Sequence, residues 1–423
     1  MSDSSISKKN IFFSAFLTAV EYYDFIIYAY LSTYISHVFF PQGHHALHLL
    51  ETYALFGLGY FMRPLGGAVF GHLGDRCGRK FALMITVILM TCSLLLMTLV
   101  PTYQSIGVCA PILLLIARLL QGFAIGGEYN GVLVTLIENA PRWRRARTTF
   151  LSVFISGNSV IVATLVIMLL TGIYNPQAML HYAWRYPYYL GVVLSLIALV
   201  FIYYLDETES FIQLEDKHKL AKLPLFEALK NHPWVIGLVL LLTGYLGVAY
   251  YMAATYIPNL MTDLLNYTHH TAVTATLIAS IIYAYTSPLW AILTDKIGRK
   301  PVLITTIMLI GLGILPEFMA LKSHNMLLIM LSYSLMMALI SACTVTFEVT
   351  INEAFPARIR YSGVAIGYNI GNALFGGSAL YISQGLVDWS GNVFMPAIYL
   401  IVMSVITLGC VLLMSETRGR QPG

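Results

Sequence analysis

The stretch Gly71-His72-Leu73-Gly74-Asp75-Arg76-Cys77-Gly78-Arg79-Lys80 decides the fold, because the chain carries it twice. A degraded copy, Ala291-Ile292-Leu293-Thr294-Asp295-Lys296-Ile297-Gly298-Arg299-Lys300, begins 220 residues later, about half of the 423-residue chain. The second copy has lost both leading glycines and keeps the Asp and the Gly-Arg-Lys ending. Each copy lies between two long apolar runs. A charged tight turn between membrane helices, present once per half, indicates a duplicated transport protein.

The composition indicates a membrane protein of the all-α class. The chain is 58% hydrophobic and 10% charged, with a mean hydropathy of +0.75, whereas soluble domains carry roughly 25% charged residues. Apolar runs of about 20 residues, the length of a helix that crosses a bilayer, recur along the chain. The first run contains Glu21 and Asp24 and lacks a small-residue cleavage site. It is therefore interpreted as a membrane helix and not as a signal peptide.

Twelve apolar runs of spanning length predict twelve transmembrane helices. They lie near residues 11–36, 51–70, 81–101, 108–132, 148–171, 187–205, 233–256, 271–290, 301–320, 326–349, 361–383 and 392–414. We place the N-terminus in the cytoplasm and let successive loops alternate between the two sides of the membrane. Only Arg185 and Lys322 then lie on the outer side, and Arg63 and Arg118 lie within spans. All other basic residues are then cytoplasmic, as the positive-inside rule requires. We expect both termini in the cytoplasm and the chain in a bacterial inner membrane.

The charged segment 206–231 separates two six-helix halves, 1–205 and 232–423. It contains Pro224 and an amphipathic stretch at 225–229, so it either lies along the inner membrane surface or forms a solvated linker. The other loops are short and contain no nucleotide-binding loop, which argues against an ATP-driven pump and against a soluble catalytic domain. We expect no enzyme activity, no nucleotide or nucleic-acid partner, and no cofactor.

The cysteines show no spacing that would suit a ligand set. They are Cys77, Cys92, Cys109, Cys343 and Cys410. Four of them lie in or beside apolar runs and are expected to be small core residues. We expect no disulfide and no metal site.

Ionisable side chains deep in predicted spans are the main functional candidates, because each costs roughly 2.5–3.5 kcal/mol on insertion. Asp24 lies about 20 Å into the first helix at 1.5 Å per residue, near mid-membrane, and Arg118 lies near the middle of the fourth. Glu21 and Tyr28 share the helix face of Asp24, and Gln121 and Glu128 share the helix face of Arg118. Asp24 would stay ionised beside Arg118 and take a proton when the two separate, which makes a proton switch. A permanent ion pair that fixes helix packing is the alternative.

The repeated stretch resembles the hallmark G-x-L-G-D-R-x-G-R-K of the major facilitator superfamily. Other segments resemble its metabolite:proton symporter branch, the proline/betaine, shikimate, α-ketoglutarate and citrate carriers. These segments are Glu21-Tyr22-Tyr23-Asp24-Phe25, 61–67, 118–129, 206–211 and 355–363, followed by Asn369 and Gly371. Tyr22 replaces the usual Trp, and Asp206 replaces the usual Pro. The resemblance implies a twelve-helix major facilitator fold that works by alternating access.

The resemblance also implies roles for individual residues. It assigns proton coupling to Asp24 and Arg118 and places an acidic residue where Glu128 stands; Glu21, on the helix face of Asp24, is the fourth residue expected to take part in coupling. The gating residues are expected to be Gly71, Asp75, Arg76, Gly78, Arg79, Asp295, Arg299, Arg358 and Arg360. Asp75 is expected to cap the N-terminus of the eleventh helix and to pair with an arginine; the alternative is that these charges only set topology. Glu348, near the inner end of helix ten, is expected to pair with a loop arginine.

Substrate contacts are expected from polar and aromatic side chains within spans. They are Arg63, Tyr28, Gln121, Tyr250, Tyr251, Asn369 and Asn372. Arg63 alternatively snorkels to the cytoplasmic surface, and the other side chains alternatively serve helix packing or interfacial belts. Four carboxylates in spans face two guanidinium groups: Glu21, Asp24, Glu128 and Glu348 against Arg63 and Arg118. This negative surplus favours a betaine- or proline-like zwitterion, whose cation tyrosines can hold and whose carboxylate an arginine can bind.

The sequence thus predicts a monomeric, proton-coupled symporter of a small polar organic solute. An organic acid such as shikimate or α-ketoglutarate is the alternative solute. A non-transporting sensor with the same fold and a proton-independent facilitator are alternative functions, and neither would need Asp24, Arg118 and Glu128. The duplicated motif argues against a channel. The expected partners are the solute, protons and the lipid bilayer.

Overall fold

The computed structural model describes residues 8–40 and 45–419, without the side chains of Ala29, Thr33, 45–57, Asp263 and His269. Within that part the chain is helical and contains no strand. The long helices are α1 Lys8–Phe39, α2 His45–Cys77, α3 Arg79–Leu99, α4 Cys109–Glu138, α5 Ala146–Ile173, α6 Tyr186–Tyr203, α7 Pro233–Tyr251, α8 His269–Ile297, α9 Arg299–Lys322, α10 Met326–Glu353, α11 Arg360–Gly371 and α12 Met395–Leu413.

Two of these helices continue past a π-helical turn. The turn Met252–Tyr256 joins α7 to Ile257–Asp263, and the turn Asn372–Gly376 leads from α11 towards Ala379–Ser390. Short helices connect the long ones: Tyr103–Ile106, Arg142–Arg144, Pro176–His181, Ala183–Arg185, Glu209–Asp216, Pro224–Asn231 and Ala357–Ile359.

Twelve long helices match the twelve predicted spans. Ten of them are long and apolar enough to cross a bilayer among the residues searched. The remaining two are α2, with 33 residues, and the interrupted α11. The amphipathic stretch predicted at 225–229 lies within the short helix Pro224–Asn231.

The repeated motif is almost entirely helical, so the turn predicted for it shrinks to one residue. Gly78 alone separates α2 from α3, and Gly298 alone separates α8 from α9. Their φ angles are +108° and +116°, a region that only glycine adopts without strain. A Cβ on Gly78 would lie 2.4 Å from the carboxylate of Glu207. Glycine at both positions therefore permits the bend and the close approach of a carboxylate.

The chain folds into two compact units. The first comprises the residues up to Asn139 together with Asn158–Leu225, and the second comprises Ala140–Gly157 together with the residues from Phe226. The first part of α5 thus clusters with the second unit. The predicted organisation by sequence order, 1–205, 206–231 and 232–423, stays a prediction.

Small residues let helix backbones approach closely within each unit. In the first unit α2 packs on α4, and a Cβ on Gly122 would lie 1.9 Å from the carbonyl oxygen of Gly59. In the second unit α7 packs on α11, and a Cβ on Gly371 would lie 2.3 Å from the carbonyl oxygen of Leu240. Close backbone approach through small residues is the usual packing mode of membrane helices.

The prediction that the apolar-run cysteines are core residues is wrong for two of the four. Cys343 is buried, Cys410 is half-buried, and Cys92 and Cys109 are exposed. Cys77, within the motif, is also exposed. The reason is that a lipid-facing helix surface is as apolar as the core, so hydropathy does not separate the two.

Candidate proton-coupling and substrate site

The first unit brings together Asp24 of α1 and Arg118 of α4, two residues predicted to carry proton coupling. Their exposed fractions are 1% and 5%, and the nearest atoms, Asp24 Oδ2 and Arg118 Nη1, lie 3.6 Å apart. Gln121 bridges the pair: Arg118 Nη1 donates to Gln121 Oε1, and Gln121 Nε2 donates to Asp24 Oδ2. The carboxylate and the guanidinium are therefore linked mainly through an amide.

This arrangement leaves hydrogen-bonding capacity on both charged groups. Asp24 Oδ1 and the Nε and Nη2 atoms of Arg118 have no hydrogen-bond partner among the described residues. The buried ring of Tyr28 covers the guanidinium, with Arg118 Cζ 3.4 Å from the ring centroid. One face of Tyr28 therefore already holds a cation, and that face does not meet a substrate cation in this state. Two guanidinium nitrogens and one carboxylate oxygen are the groups that a ligand or a proton can engage.

A second group of ionisable residues lies in the same unit. Glu21 of α1 interacts electrostatically with Arg63 of α2 and with Glu128 of α4, and all three are buried. Both carboxyl oxygens of Glu128 and Oε2 of Glu21 are without a hydrogen-bond partner within 8–40 and 45–419. Two like charges in one buried group are costly unless a proton or a cation offsets one of them.

The alternative that Arg63 snorkels to the surface is wrong. Its exposed fraction is 6%, and its guanidinium lies 4.2 Å from the centroid of the Tyr60 ring. Tyr60, one turn earlier on α2, provides an aromatic face that offsets the loss of water around the cation. Sequence hydropathy could not show this partner.

The substrate candidates of the second unit lie where α7 and α11 are interrupted. Tyr250 contacts Tyr251 and Tyr283, with ring centroids 5.8 and 5.5 Å apart, and Tyr251 directly precedes the π turn of α7. Asn372 opens the π turn of α11. Asn369 donates to the carbonyl of Ala365 at 2.8 Å, within its own helix. Turns of this kind are frequent at functional sites.

The predicted gating residues of the first unit form a buried cluster at the junction of α2 and α3. Arg79 is fully buried, 3.3 Å from Asp75 and 3.1 Å from Glu138 at the end of α4. The carboxylate of Glu207 accepts from the backbone N–H of Arg79 at 3.1 Å, which caps α3. The hydroxyl of Thr208 donates to Glu138 at 2.7 Å. Arg76 is exposed and lies outside this cluster.

The second unit repeats this cluster contact for contact. Arg299 is fully buried, 3.3 Å from Asp295 and 3.0 Å from Glu353 at the end of α10. Glu416 accepts from the backbone N–H of Arg299 at 3.0 Å, and the hydroxyl of Thr417 donates to Glu353 at 3.0 Å. The duplication read from the sequence therefore extends to side-chain partners that were not predicted. The dipeptide Glu-Thr after the last helix of each half was the signal available for finding them.

Other predicted gating residues have partners in the second unit. Asp295 also accepts from the backbone N–H groups of Ala146 and Arg147, at 3.2 and 3.1 Å, which caps the start of α5. Arg360 is buried and donates to the carbonyl of Asn352 at 2.9 Å. Arg358 forms an exposed ion pair of 2.7 Å with Glu227.

The pairing predicted for Glu348 stays a prediction. The hydroxyl of Ser152 donates to Glu348 Oε2, and two arginines of this region, Arg145 and Arg299, pair with Glu353. Arg145 lies 3.2 Å and Arg299 3.0 Å from that carboxylate. The sequence argument treated Glu348 as the last carboxylate of the span and missed Glu353, five residues further on.

Comparison with known proteins identifies the family. The family model of the Major Facilitator Superfamily matches residues 11–281 and 239–423. The chain is 33% identical, over 99% of its length and 85% of the relative's, to the glycine betaine/proline/ectoine/pipecolic acid transporter OusA of Dickeya dadantii (strain 3937). It is 32% identical, over 94% and 92%, to the shikimate transporter of Escherichia coli (strain K12).

Solved structures show the same fold. The proton:xylose symporter XylE superposes with a TM-score of 0.83 at 16% identity, covering 99% of this chain and 98% of that one. The fucose:proton symporter FucP of E. coli superposes with a TM-score of 0.72 at 14% identity, covering 97% and 98%. The predicted twelve-helix, all-α fold is confirmed.

Proposed function

Because the chain belongs to the major facilitator superfamily, we propose that it is a proton-coupled symporter of a small polar zwitterion of the betaine or proline class. The observation that carries the proposal is the buried group Asp24–Gln121–Arg118, with unused hydrogen-bonding atoms on both charged residues. A carboxylate and a guanidinium joined through an amide can separate at lower cost than a bidentate ion pair.

The coupling step follows from the charges of this group. When Asp24 takes a proton, its attraction to Arg118 is lost, and Gln121 can let the two move apart. The two free nitrogens of Arg118 can then bind a substrate carboxylate bidentately. Protonation of Asp24 and carboxylate binding to Arg118 thus favour each other, which is the thermodynamic requirement for symport.

The second group favours a ligand that also carries a positive charge. Glu21 and Glu128 together exceed the single guanidinium of Arg63 by one carboxyl. An ammonium group of the solute would offset that surplus, whereas a further carboxylate would add to the repulsion. Relatives named as betaine and proline transporters, at 32–33% identity over 99% of this chain, support the same class.

The described helices contain more buried charged residues than the four carboxylates and two guanidinium groups counted from the sequence. The side chains of Glu138, Glu317 and Glu353 on long helices are also buried, as are the guanidinium groups of Arg79 and Arg299. Glu138 and Glu353 pair with those arginines. In the first unit Glu21 and Glu128 lie outside the Arg79 cluster, and theirs is the surplus that bears on the solute in this proposal.

An organic-acid symporter is the second candidate. Two buried guanidinium groups, Arg63 and Arg118, lie in the same unit, and relatives named shikimate transporter and citrate-proton symporter are 32% and 31% identical to this chain. A dicarboxylate would need both arginines and additional protons. The two candidates are distinguished by which solutes compete with the labelled solute for uptake.

The clusters around Arg79 and Arg299 are proposed to act as gating elements at the cytoplasmic ends of the helices. Each carries a fully buried guanidinium held by two carboxylates, an arrangement with two discrete states, made or broken. The chain is an integral multi-pass membrane protein, and we place it in a bacterial inner membrane with both termini in the cytoplasm, as a monomer.

Uptake into proteoliposomes with an imposed pH gradient tests the proposal. Labelled glycine betaine and proline should accumulate against their gradients, and Asp24→Asn should abolish that accumulation while leaving exchange without a gradient. Asp388→Asn is the matched control because Asp388 is exposed. Accumulation at the wild-type level in Asp24→Asn would exclude Asp24 as the coupling residue. Uptake of a labelled organic acid that is indifferent to excess betaine and proline would favour the second candidate.

A further inference from the structure

Glu317 is a buried acid that the transport site does not use. It lies in α9, five residues before that helix ends at Lys322, or about 7.5 Å at 1.5 Å per residue. Its side chain is 1% exposed. Neither carboxyl oxygen has a hydrogen-bond partner among residues 8–40 and 45–419. The residue lies within the predicted span 301–320.

The helices packed on α9 are α8, α10 and α12. The hydroxyl of Ser332 on α10 is the polar group that interacts with the Glu317 carboxyl; it donates at 3.2 Å to the carbonyl of Ile329, so its proton is not directed at Glu317. His269 opens α8, and its side chain lies outside the described residues. The titratable groups with described side chains at the corresponding ends of these helices and in their loops are Tyr267, His270, Lys322, His324, Tyr333 and Tyr399. Within the described part of the chain none of them forms an ion pair with Glu317.

The basic groups of this list are engaged or exposed. The ammonium of Lys322 lies 5.2 Å from the centroid of the Phe394 ring, and His324 stacks on Tyr267 with centroids 4.7 Å apart. An ionised carboxylate in such a position is unfavourable, because the side chain is buried and no cation among the described residues pairs with its charge. The neutral carboxylic acid is the form that fits these surroundings.

We propose that Glu317 is a proton-binding site of the second unit, separate from the Asp24–Arg118 and Glu21–Glu128 groups and loaded from the outer side of the membrane. The outer side follows from the proposed orientation, in which α9 begins in the cytoplasm and ends outside. The bound proton keeps the ends of α9 and α10 packed, since an ionised Glu317 would have to reach water. External alkalinity thereby loosens this part of the second unit.

The sign of the effect on stability follows from linkage. In the unfolded chain the Glu317 carboxyl is in water and ionises freely, whereas its buried position in the folded protein favours the neutral acid. Folding then favours the protonated form, so the wild type becomes less stable as the pH rises. A neutral glutamine of similar shape has no proton to bind and escapes this loss.

Thermal unfolding of the purified protein, without any gradient or solute, tests the proposal. The unfolding midpoint of Glu317→Gln, measured relative to that of the wild type, should rise by several degrees between about pH 5 and about pH 8. The matched control is Glu353→Gln, a buried carboxylate paired with Arg145 and Arg299, which should unfold lower than wild type at both values. An equal difference between Glu317→Gln and wild type at both pH values, or a wild type more stable at about pH 8, would overturn the proposal.

Hydrogen–deuterium exchange of the wild type in vesicles gives a second measurement that needs no variant. After correction for the intrinsic pH dependence of exchange, amides of 316–333 should exchange faster at about pH 8, and amides at the start of α9 should not. Asp24→Asn should behave as the wild type does, which separates this site from the transport site. An unchanged rate in 316–333 would refute the proposal.

Discussion

Replacing Glu353 with glutamine tests whether burial or the distance between the charged atoms determines how much an ion pair stabilises this protein. Glu353 is fully buried at the end of α10 and accepts from Arg299 at 3.0 and 3.1 Å, from Arg145 at 3.2 Å and from Thr417 at 3.0 Å. The amide keeps the shape of the side chain but loses the charge and places a donor where an acceptor stood. We expect the second unit to be destabilised.

The size of this destabilisation depends on which partners Arg299 keeps in the variant. Breaking one partner of a buried ion pair costs about 3–5 kcal/mol. Asp295 stays 3.3 Å from Arg299, so the lower end, about 3 kcal/mol, applies. At about 2–4 °C per kcal/mol for a unit of this size, the unfolding midpoint should fall by about 6–12 °C. Tryptophan fluorescence of the detergent-solubilised protein during heating measures it.

The exposed pair of Arg358 and Glu227 provides the control. Its atoms are closer, at 2.7 Å, but the side chains are 44% and 25% exposed. Exposed pairs contribute about 0–1 kcal/mol, so Glu227→Gln should change the midpoint by at most about 4 °C. Equal losses in the two variants would refute the argument that burial makes the difference.

Two further predictions concern the motif glycine and the acid-side stability. Gly78→Ala should destabilise the protein by about 1–3 kcal/mol, because a φ of +108° is strained for alanine and the new Cβ would lie 2.4 Å from the Glu207 carboxylate. The control is Gly172→Ala on α5, where a Cβ would meet no atom within 4 Å. In the same heating experiment, followed by tryptophan fluorescence, this variant should be neutral or stabilised by up to about 1 kcal/mol. Burial acts to raise the pKa of Glu416, but hydrogen bonds from backbone N–H groups, that of Arg299 foremost, lower its pKa below 4.5 overall. Its stabilisation is therefore complete at neutral pH and lost as the pH falls through the lowered value, so the midpoint of Glu416→Gln should depend less on pH below about 4.5 than that of the wild type; identical acid-side curves would contradict this.

The spacing of residues on single helices predicted which side chains of the first group share a helix face, although Gln121 was predicted as a substrate contact. Asp24 lies on the face of α1 that also carries Tyr28, and Arg118 and Gln121 are three positions apart on α4. Because a helix places such residues side by side, the sequence predicted which side chains share a face. The structure adds that Gln121 bridges the two charges and that Arg118 covers the Tyr28 ring. Those details depend on how α1 and α4 pack, which the sequence of either helix alone does not contain.

Contacts between distant segments account for most of what the sequence did not predict. Glu207 caps α3 from a position 128 residues further along the chain, and Arg63 finds Tyr60 instead of the membrane surface. Glu317 was overlooked because a hydropathy window averages one acid into an apolar run. In each case the missing information is the identity of the neighbour, which decides whether a buried charge is paired, capped or neutral.

The two units share the buried ion-pair clusters around Arg79 and Arg299 but not their other buried charged residues, and the duplication explains why. Glu138 and Glu353 end α4 and α10 and hold the buried Arg79 and Arg299 in the same way. When α4 and α10 are aligned on these two glutamates, Tyr333 corresponds to Arg118, Met336 to Gln121 and Cys343 to Glu128. Tyr333 donates a hydrogen bond to the carbonyl of Ala253, so the position in the second unit that corresponds to Arg118 holds an uncharged side chain. The bends and their buried ion pairs stayed alike in both halves after duplication. If proton coupling needs the Asp24–Arg118 group only once, as we propose, selection need not keep its charged residues in the second half, where aromatic and amide groups stand instead.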